Sequence, residues 1–216
     1  MDMKEIKHVE YTKFLGVLID SNLKWDYHIS YIKTKLSKAI GMLNKAKPIL
    51  GKRCLKTLYN SFLYPHICYC IDVWGSASCT QMNSLMKMQK RAVRLINFAN
   101  YRDHTDPLFK ESKLLKLNQI YTYSIISFMF NVYHKKSPDL FQDMFIRNNE
   151  LHNYSTRRSL QFHVPLVKTA IRQKSICYKG VYLWNKVCDK VNTDCTIGTF
   201  KSRVFNLLVN DDNGLL

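Results

Sequence analysis

Chemistry on phosphodiesters needs carboxylates close enough together to hold a divalent metal, because hard cations take oxygen ligands. The sequence is poor in such groupings. Its adjacent acidic pair, Asp211-Asp212, stands in a polar stretch that reads as a tail. Asp103 and Asp106 flank His104 and read as a solvated turn, while Asp20 and Asp26 flank a helix start and read as capping groups. His66, Cys68, Cys70 and Cys79 are close, but no Cys-x-x-Cys pair occurs, and zinc sites need paired ligands at regular spacing. There is no phosphate-cradling glycine loop and no Gly-x-Ser-x-Gly elbow. No catalytic residue, metal ligand or cofactor is assigned on this chain.

The cations are another matter. Lys87, Lys90, Arg91 and Arg94 fall at offsets of three, four and seven, which puts them on one face of a helix. No acid lies between Leu85 and Ile96 to neutralise them. Lys33, Lys38, Lys45, Lys52 and Arg53 add to the same half of the chain. Across 216 residues there are 33 Lys and Arg against 16 Asp and Glu, a formal charge of +17. The sequence pI of about 9.6 fits the footprint of a nucleic-acid binder. Anionic membrane surface and plain solubility are the competing readings.

The remaining bulk features narrow the class. Hydrophobic residues make up 46% of the chain, enough for a real core. The seven cysteines are odd in number, and Met1-Asp2-Met3-Lys4-Glu5 lacks the apolar core of a signal peptide, so reduced thiols in an intracellular, non-secreted protein (nucleus or cytoplasm) are expected. The apolar run from Leu117 to Tyr133 is diluted by Asn118, Gln119, Thr122, Ser124, Ser127 and Asn131. It reads as a buried helix and not as a membrane span, which needs ~20 mostly apolar residues.

The elements that must position the cations follow from periodicity. Two candidate strands, Ile6–Tyr11 and Phe14–Ile19, are joined at Thr12-Lys13, with Gly16 inside the second as a bulge or close approach. Residues 1–13 are expected to be poorly anchored and Phe14–Ile19 to be held by packing on helices. Trp25, Ile29, Ile32, Leu36, Ile40 and Leu43 predict an amphipathic helix ended by Pro48 and Gly51. A second helix starts near Arg53 and is expected to break or kink at Pro65, with His66–Trp74 as a further buried piece. A third spans about 80–99. A polar linker covers 101–112, and helices are expected over 114–134, about 138–145, 176–191 and 199–208. Residues 147–165 read as irregular. The fold class is mainly α: a short N-terminal β-strand or hairpin, a helical bundle and a second helical region.

The order of several short motifs carries a resemblance. Phe14-Leu15-Gly16-Val17-x-Ile19-Asp20 is followed by Leu23-x-Trp25-x-x-His28-Ile29. Then come Leu58-Tyr59-x-Ser61-x-Leu63-x-Pro65, Val73-Trp74-Gly75 and Gln89-Lys90-x-Ala92-x-Arg94. Thr156-Arg157, Gly180-x-x-x-Trp184-Asn185 and Phe200-Lys201 complete the set. Together they resemble the C-terminal part of reverse transcriptases of non-LTR retrotransposons, the jockey-like and related elements, over nearly the whole chain.

That resemblance implies three regions: residues 1–24 as the end of the palm, 25–100 as a thumb-like helical bundle, and 101–216 as a C-terminal helical region. It implies that Phe14, Leu15 and Gly16 match the primer grip. RNA or an RNA–DNA duplex, and an upstream polymerase region, are the partners it suggests, with Mg²⁺ used by the complete enzyme. The sequence departs from the family in lacking a Tyr/Phe-x-Asp-Asp motif and a downstream cysteine–histidine cluster, and in having Val187-Cys188 where a leucine–proline pair is common. A fragment or remnant without polymerase activity of its own is therefore expected. Two other readings stay open: a helical protein–protein interaction module with an ordinary basic surface, and an enzyme with an undetected site.

Overall fold

The computed structural model describes residues 8–151, 159 and 161–211. The protein is mainly α-helical, with an antiparallel two-stranded hairpin at the start. It divides into two compact units, residues 1–112 and 113–216. Thr156-Arg157 lies outside the described residues.

In the first unit, β1 (Tyr11–Phe14) pairs with β2 (Val17–Asp20), with Phe14 opposite Val17 and Tyr11 opposite Asp20. The expected join at Thr12-Lys13 is thus incorrect, and so is the placing of Gly16 inside a strand. Leu15 and Gly16 form a two-residue turn with φ of 45° and 84°. Positive φ at both central positions is the turn whose twist matches that of the paired strands. Gly16 is needed for its φ, while the Tyr69 ring lies at van der Waals distance, with Cε1 3.4 Å from an added Cβ. The Tyr69 hydroxyl donates to the Leu15 carbonyl and ties the turn to the helical part.

The corner after β2 is built on one carboxylate. Asp20 is buried and accepts backbone N–H bonds from Asn22 (3.2 Å), Lys24 (2.8 Å) and Trp25 (2.6 Å). Leu23 and Trp25 take left-handed backbone conformations there, which side-chain-bearing residues rarely adopt. Trp25 precedes helix α1 (Asp26–Ala46) and is itself buried. His28 sits beneath β2, accepting the Leu18 N–H at Nδ1 (3.3 Å) with its ring edge-on to Trp74. That bond fixes the neutral tautomer with its proton on Nε2.

Pro65 neither ends nor breaks the second helix. Helix α2 (Lys52–Leu58) runs into a π-helical turn (Tyr59–Leu63) and on through α3 (Tyr64–Cys68). In an unbroken α-helix the proline ring would strike the carbonyl four residues back. The wider turn, in which Tyr64 N–H reaches the Tyr59 carbonyl, relieves this. Cys70, with φ of 50°, then turns the chain into α4 (Ile71–Trp74). Helix α5 (Cys79–Ile96) and α6 (Asp106–Glu111) close the unit. Its core joins Ile29, Ile32, Leu36, Ile40 and Leu43 of α1 to Leu55, Tyr59, Leu63 and Trp74, and to Leu85, Ala92 and Ile96 of α5.

In the second unit α7 (Leu117–Tyr133) is the central helix, buried around most of its circumference. Short helices α8 (Asp139–Gln142), α9 (Asn148–Leu151) and α10 (Ala170–Lys174) precede α11 (Ile176–Cys188) and α12 (Ile197–Asn210). Phe130, Trp184 and Phe200 pack together, with 4.4 Å between the Phe130 and Phe200 centroids. Gly180 lets α11 approach α7, since an added Cβ would lie 3.0 Å from Met129 Sδ. Arg147 and Phe162 form an isolated antiparallel bridge in the segment read as irregular. Val187 and Cys188 simply continue α11 to its end.

Two outcomes test this account of the first unit. Asp20→Ala should lower the stability of that unit by about 2 kcal/mol or more, because backbone donors lose a charged acceptor. Faster hydrogen exchange of α1 amides reads this loss. Burial holds the His28 pKa below its usual value, so folding favours the neutral ring. The stability this contributes is full above pH ~6.5 and drains away as pH falls through the lowered folded value. Urea unfolding across pH should show that loss in the wild type and less of it in His28→Gln.

Candidate nucleic-acid interface

The stripe on α5 starts from a firmly fixed helix. Ser78 and Gln81 form a reciprocal capping box at its N-terminus. Gln81 Nε2 also donates to the Asp26 carboxylate at the start of α1. At the other end, Lys47, just past α1, lies 5.6 Å from the Phe98 ring centroid, just past α5. With starts joined to starts and ends to ends, α1 and α5 run in the same direction. Midway, Gln89 is wholly buried and its Nε2 donates to the Tyr59 hydroxyl at 2.9 Å. The buried face of α5 therefore carries Met82, Leu85, Gln89, Ala92, Val93 and Ile96.

Opposite that face, Lys87 and Arg91 are exposed and Lys90 and Arg94 half-buried. Lys87, Lys90 and Arg91 have no acid or hydrogen-bond partner among the described residues. Arg94 is held in place by its Nε donating to the Asp103 carbonyl at 3.0 Å. The stripe is about 10 Å long, the reach of two helical turns. That matches about three phosphates at 3.4 Å per nucleotide along one strand.

The other cations are placed unevenly. Lys38 and Lys45, seven residues apart, point outward from α1, whereas Lys33 lies on its flank about a third of a turn away. Lys52 forms an ion pair with Glu111, both partly exposed, and such pairs contribute ~0–1 kcal/mol. Arg53 is exposed beside it on the first turn of α2, where a cation gains nothing from the helix dipole. Phe14, Leu15 and Gly16 stand at the hairpin tip, with Phe14 62% and Leu15 74% exposed.

No group of three His, Cys, Asp or Glu side chains is clustered among the described residues. Asp103 Oδ2 accepts the Asn100 N–H, a turn-forming role. The seven cysteines are free thiols. Burial pushes the Cys188 thiol up to about 12 and raises that of Cys68, which suppresses the reactive thiolate. A cleft of about 500 Å³ in the second unit is lined by Lys190, Val191, Asn192, Arg203, Asn206 and Leu207, without a carboxylate or thiol. No described helix is long and apolar enough to cross a membrane.

Sequence reasoning passed over Tyr27 and Tyr31, which share the outward stripe of α1 with Lys38 and Lys45. Their spacing of four, seven and seven was the available signal. It also left Gln89 without a role, although the residue lies in the Gln89-Lys90 motif.

Comparison with known proteins relates about half of the chain to retrotransposon polymerases. It is 28% identical over 116 residues to the RNA-directed DNA polymerase from mobile element jockey of Drosophila melanogaster, covering 52% of this chain and 13% of that protein. It is 26% identical over 107 residues to the probable RNA-directed DNA polymerase from transposon X-element of the same species, 47% of this chain and 12% of that protein. The jockey polymerase of Drosophila funebris is 25% identical over 115 residues, 52% and 13%. The matched stretch thus spans only about an eighth of these relatives. No protein-family model matches the chain, and no solved structure does. These likenesses support a region related to the reverse transcriptases of non-LTR retrotransposons.

The seat of the α5 stripe is itself testable. Tyr59→Phe should cost about 1 kcal/mol, because the buried Gln89 amide loses its acceptor. Adding Gln89→Leu should recover part of the loss, and a double-mutant cycle on unfolding free energies measures the coupling.

Proposed function

We propose that this chain binds RNA or an RNA–DNA duplex through its phosphates, as the thumb and post-thumb part of an RNA-directed DNA polymerase inside the cell. Lys87, Lys90, Arg91 and Arg94 carry the main contact. Lys38 and Lys45 are secondary, and Lys33, Lys52 and Arg53 lie at its margin. The observation that carries this reading is the α5 stripe, whose exposed cations find no acid among the described residues of a chain of charge +17. Similarity to retrotransposon polymerases supports it independently.

The contact is to backbone and not to base edges. Lysine and arginine at phosphates fix register and orientation but carry little sequence information. Phe14, Leu15 and Gly16 take the primer-grip position in this reading, presenting an exposed tip held by Tyr69. The chain by itself polymerises nothing. Its sequence has no Tyr/Phe-x-Asp-Asp motif, and without carboxylates clustered among the described residues phosphoryl transfer lacks a seat for the metal.

A salt titration tests the binding. Affinity for a short RNA–DNA hybrid should fall steeply with salt, and Lys87→Ala/Lys90→Ala/Arg91→Ala should reduce the log–log slope by about 2–3, near 0.9 per lost contact. Affinity that is flat from low to physiological salt would sink the proposal. Nucleotide incorporation by the chain alone with magnesium or manganese would overturn the absence of polymerase activity.

A further inference from the structure

The outward face of α1 carries more than lysines. Tyr27, Tyr31, Lys38 and Lys45 follow one another along a single stripe of the helix. Tyr27 and Tyr31 are 41% and 39% exposed. Tyr11, 48% exposed on β1, lies against Tyr27 with ring centroids 4.4 Å apart and planes 26° from parallel. Lys35 Nζ sits 5.3 Å from the Tyr31 ring centroid. These rings fill no part of the core; Tyr11 and Tyr27 are held against each other, and Tyr31 follows one turn further along the stripe.

Charge is sorted along the stripe. At the aromatic end the Tyr27 hydroxyl donates to Glu10 at 2.9 Å, and Asp26 binds Gln81. At the other end Lys38 and Lys45 have no partner among the described residues. The unpartnered cations draw phosphate to the second end, and the exposed tyrosine rings at the first end offer flat faces to a neutral planar group. Nucleobases are such groups: every base has a π-face, and aromatic platforms bound it without regard to sequence.

We propose that Tyr11, Tyr27 and Tyr31 form a stacking platform for unpaired bases, with the phosphates of the same strand at Lys38 and Lys45. The rise from Tyr31 to Lys38 is about 10 Å, so one strand can reach both. The platform takes the single strand that leaves a duplex held by α5, so it rests on the duplex reading above. A protein ligand is the competing occupant. It would gain little from unpaired lysines beside the rings, whereas a nucleic-acid strand uses both.

The test uses the full chain and two probes: a short blunt RNA–DNA hybrid, and the same hybrid with a single-stranded extension carrying 2-aminopurine. The extension should tighten binding roughly tenfold and quench the 2-aminopurine, the size expected for one well-stacked base. Tyr31→Ala should remove both the gain and the quench while blunt-hybrid affinity holds, and Tyr31→Phe should retain them. An extension that adds nothing overturns this inference alone, as does Tyr31→Ala weakening both probes alike. A blunt hybrid that does not bind overturns the duplex reading and this inference with it.

Discussion

The first unit depends on how one carboxylate is spent. Asp20 gathers the backbone N–H groups of Asn22, Lys24 and Trp25 while itself shielded from water. A buried charge without partners would be far more costly than any single contact here is worth. With those donors it stabilises a corner that the chain would otherwise avoid. Leu23 and Trp25 both sit in the left-handed region, where a side chain costs roughly 1–2 kcal/mol per residue. The corner turns Trp25 inward, and the helix that follows turns Tyr27 outward. The same residue therefore decides what α1 buries and what it shows.

Helix α5 answers a different problem. Its four cations repel one another at three- and four-residue spacing, each pair destabilising the helix by a few tenths of a kcal/mol. No acid within the stripe offsets this. The helix persists because its other face is buried and its termini are secured, by the Ser78–Gln81 box at one end and the Arg94–Asp103 contact at the other. The Gln89–Tyr59 bond pins the middle to the π-helical turn, which itself exists because of Pro65. A proline in the second helix thus helps set where the α5 cations stand.

Much of this was legible in the sequence, and the failures are physically specific. The long helices announced themselves through the period of Ile29, Ile32, Leu36 and Ile40, and through the apolar girth of α7. The hairpin turn was misplaced because Phe14 to Ile19 reads as one apolar run. A leucine at positive φ is a poor turn signal, and only Gly16 marked the spot. Pro65 signals a break or a kink, and a wider helical turn is how the chain accommodates it. The Lys52–Glu111 pair joins residues 59 positions apart, a distance that spacing rules do not reach.

The two proposed contact surfaces differ in a way that follows from their supports. Phosphates of a duplex recur at fixed spacing, so the helix that meets them must be rigid, and α5 is anchored at its start, middle and end. Unpaired bases adapt to whatever platform they find, and the rings at the start of α1 need only be gathered, as Tyr11 and Tyr27 are across the hairpin corner. Because α1 and α5 run side by side in the same direction, the platform and the stripe are attached to parallel rods joined at their starts by Asp26 and Gln81. The Asp26–Gln81 contact that fastens those starts therefore also fixes where the rings stand relative to the cations.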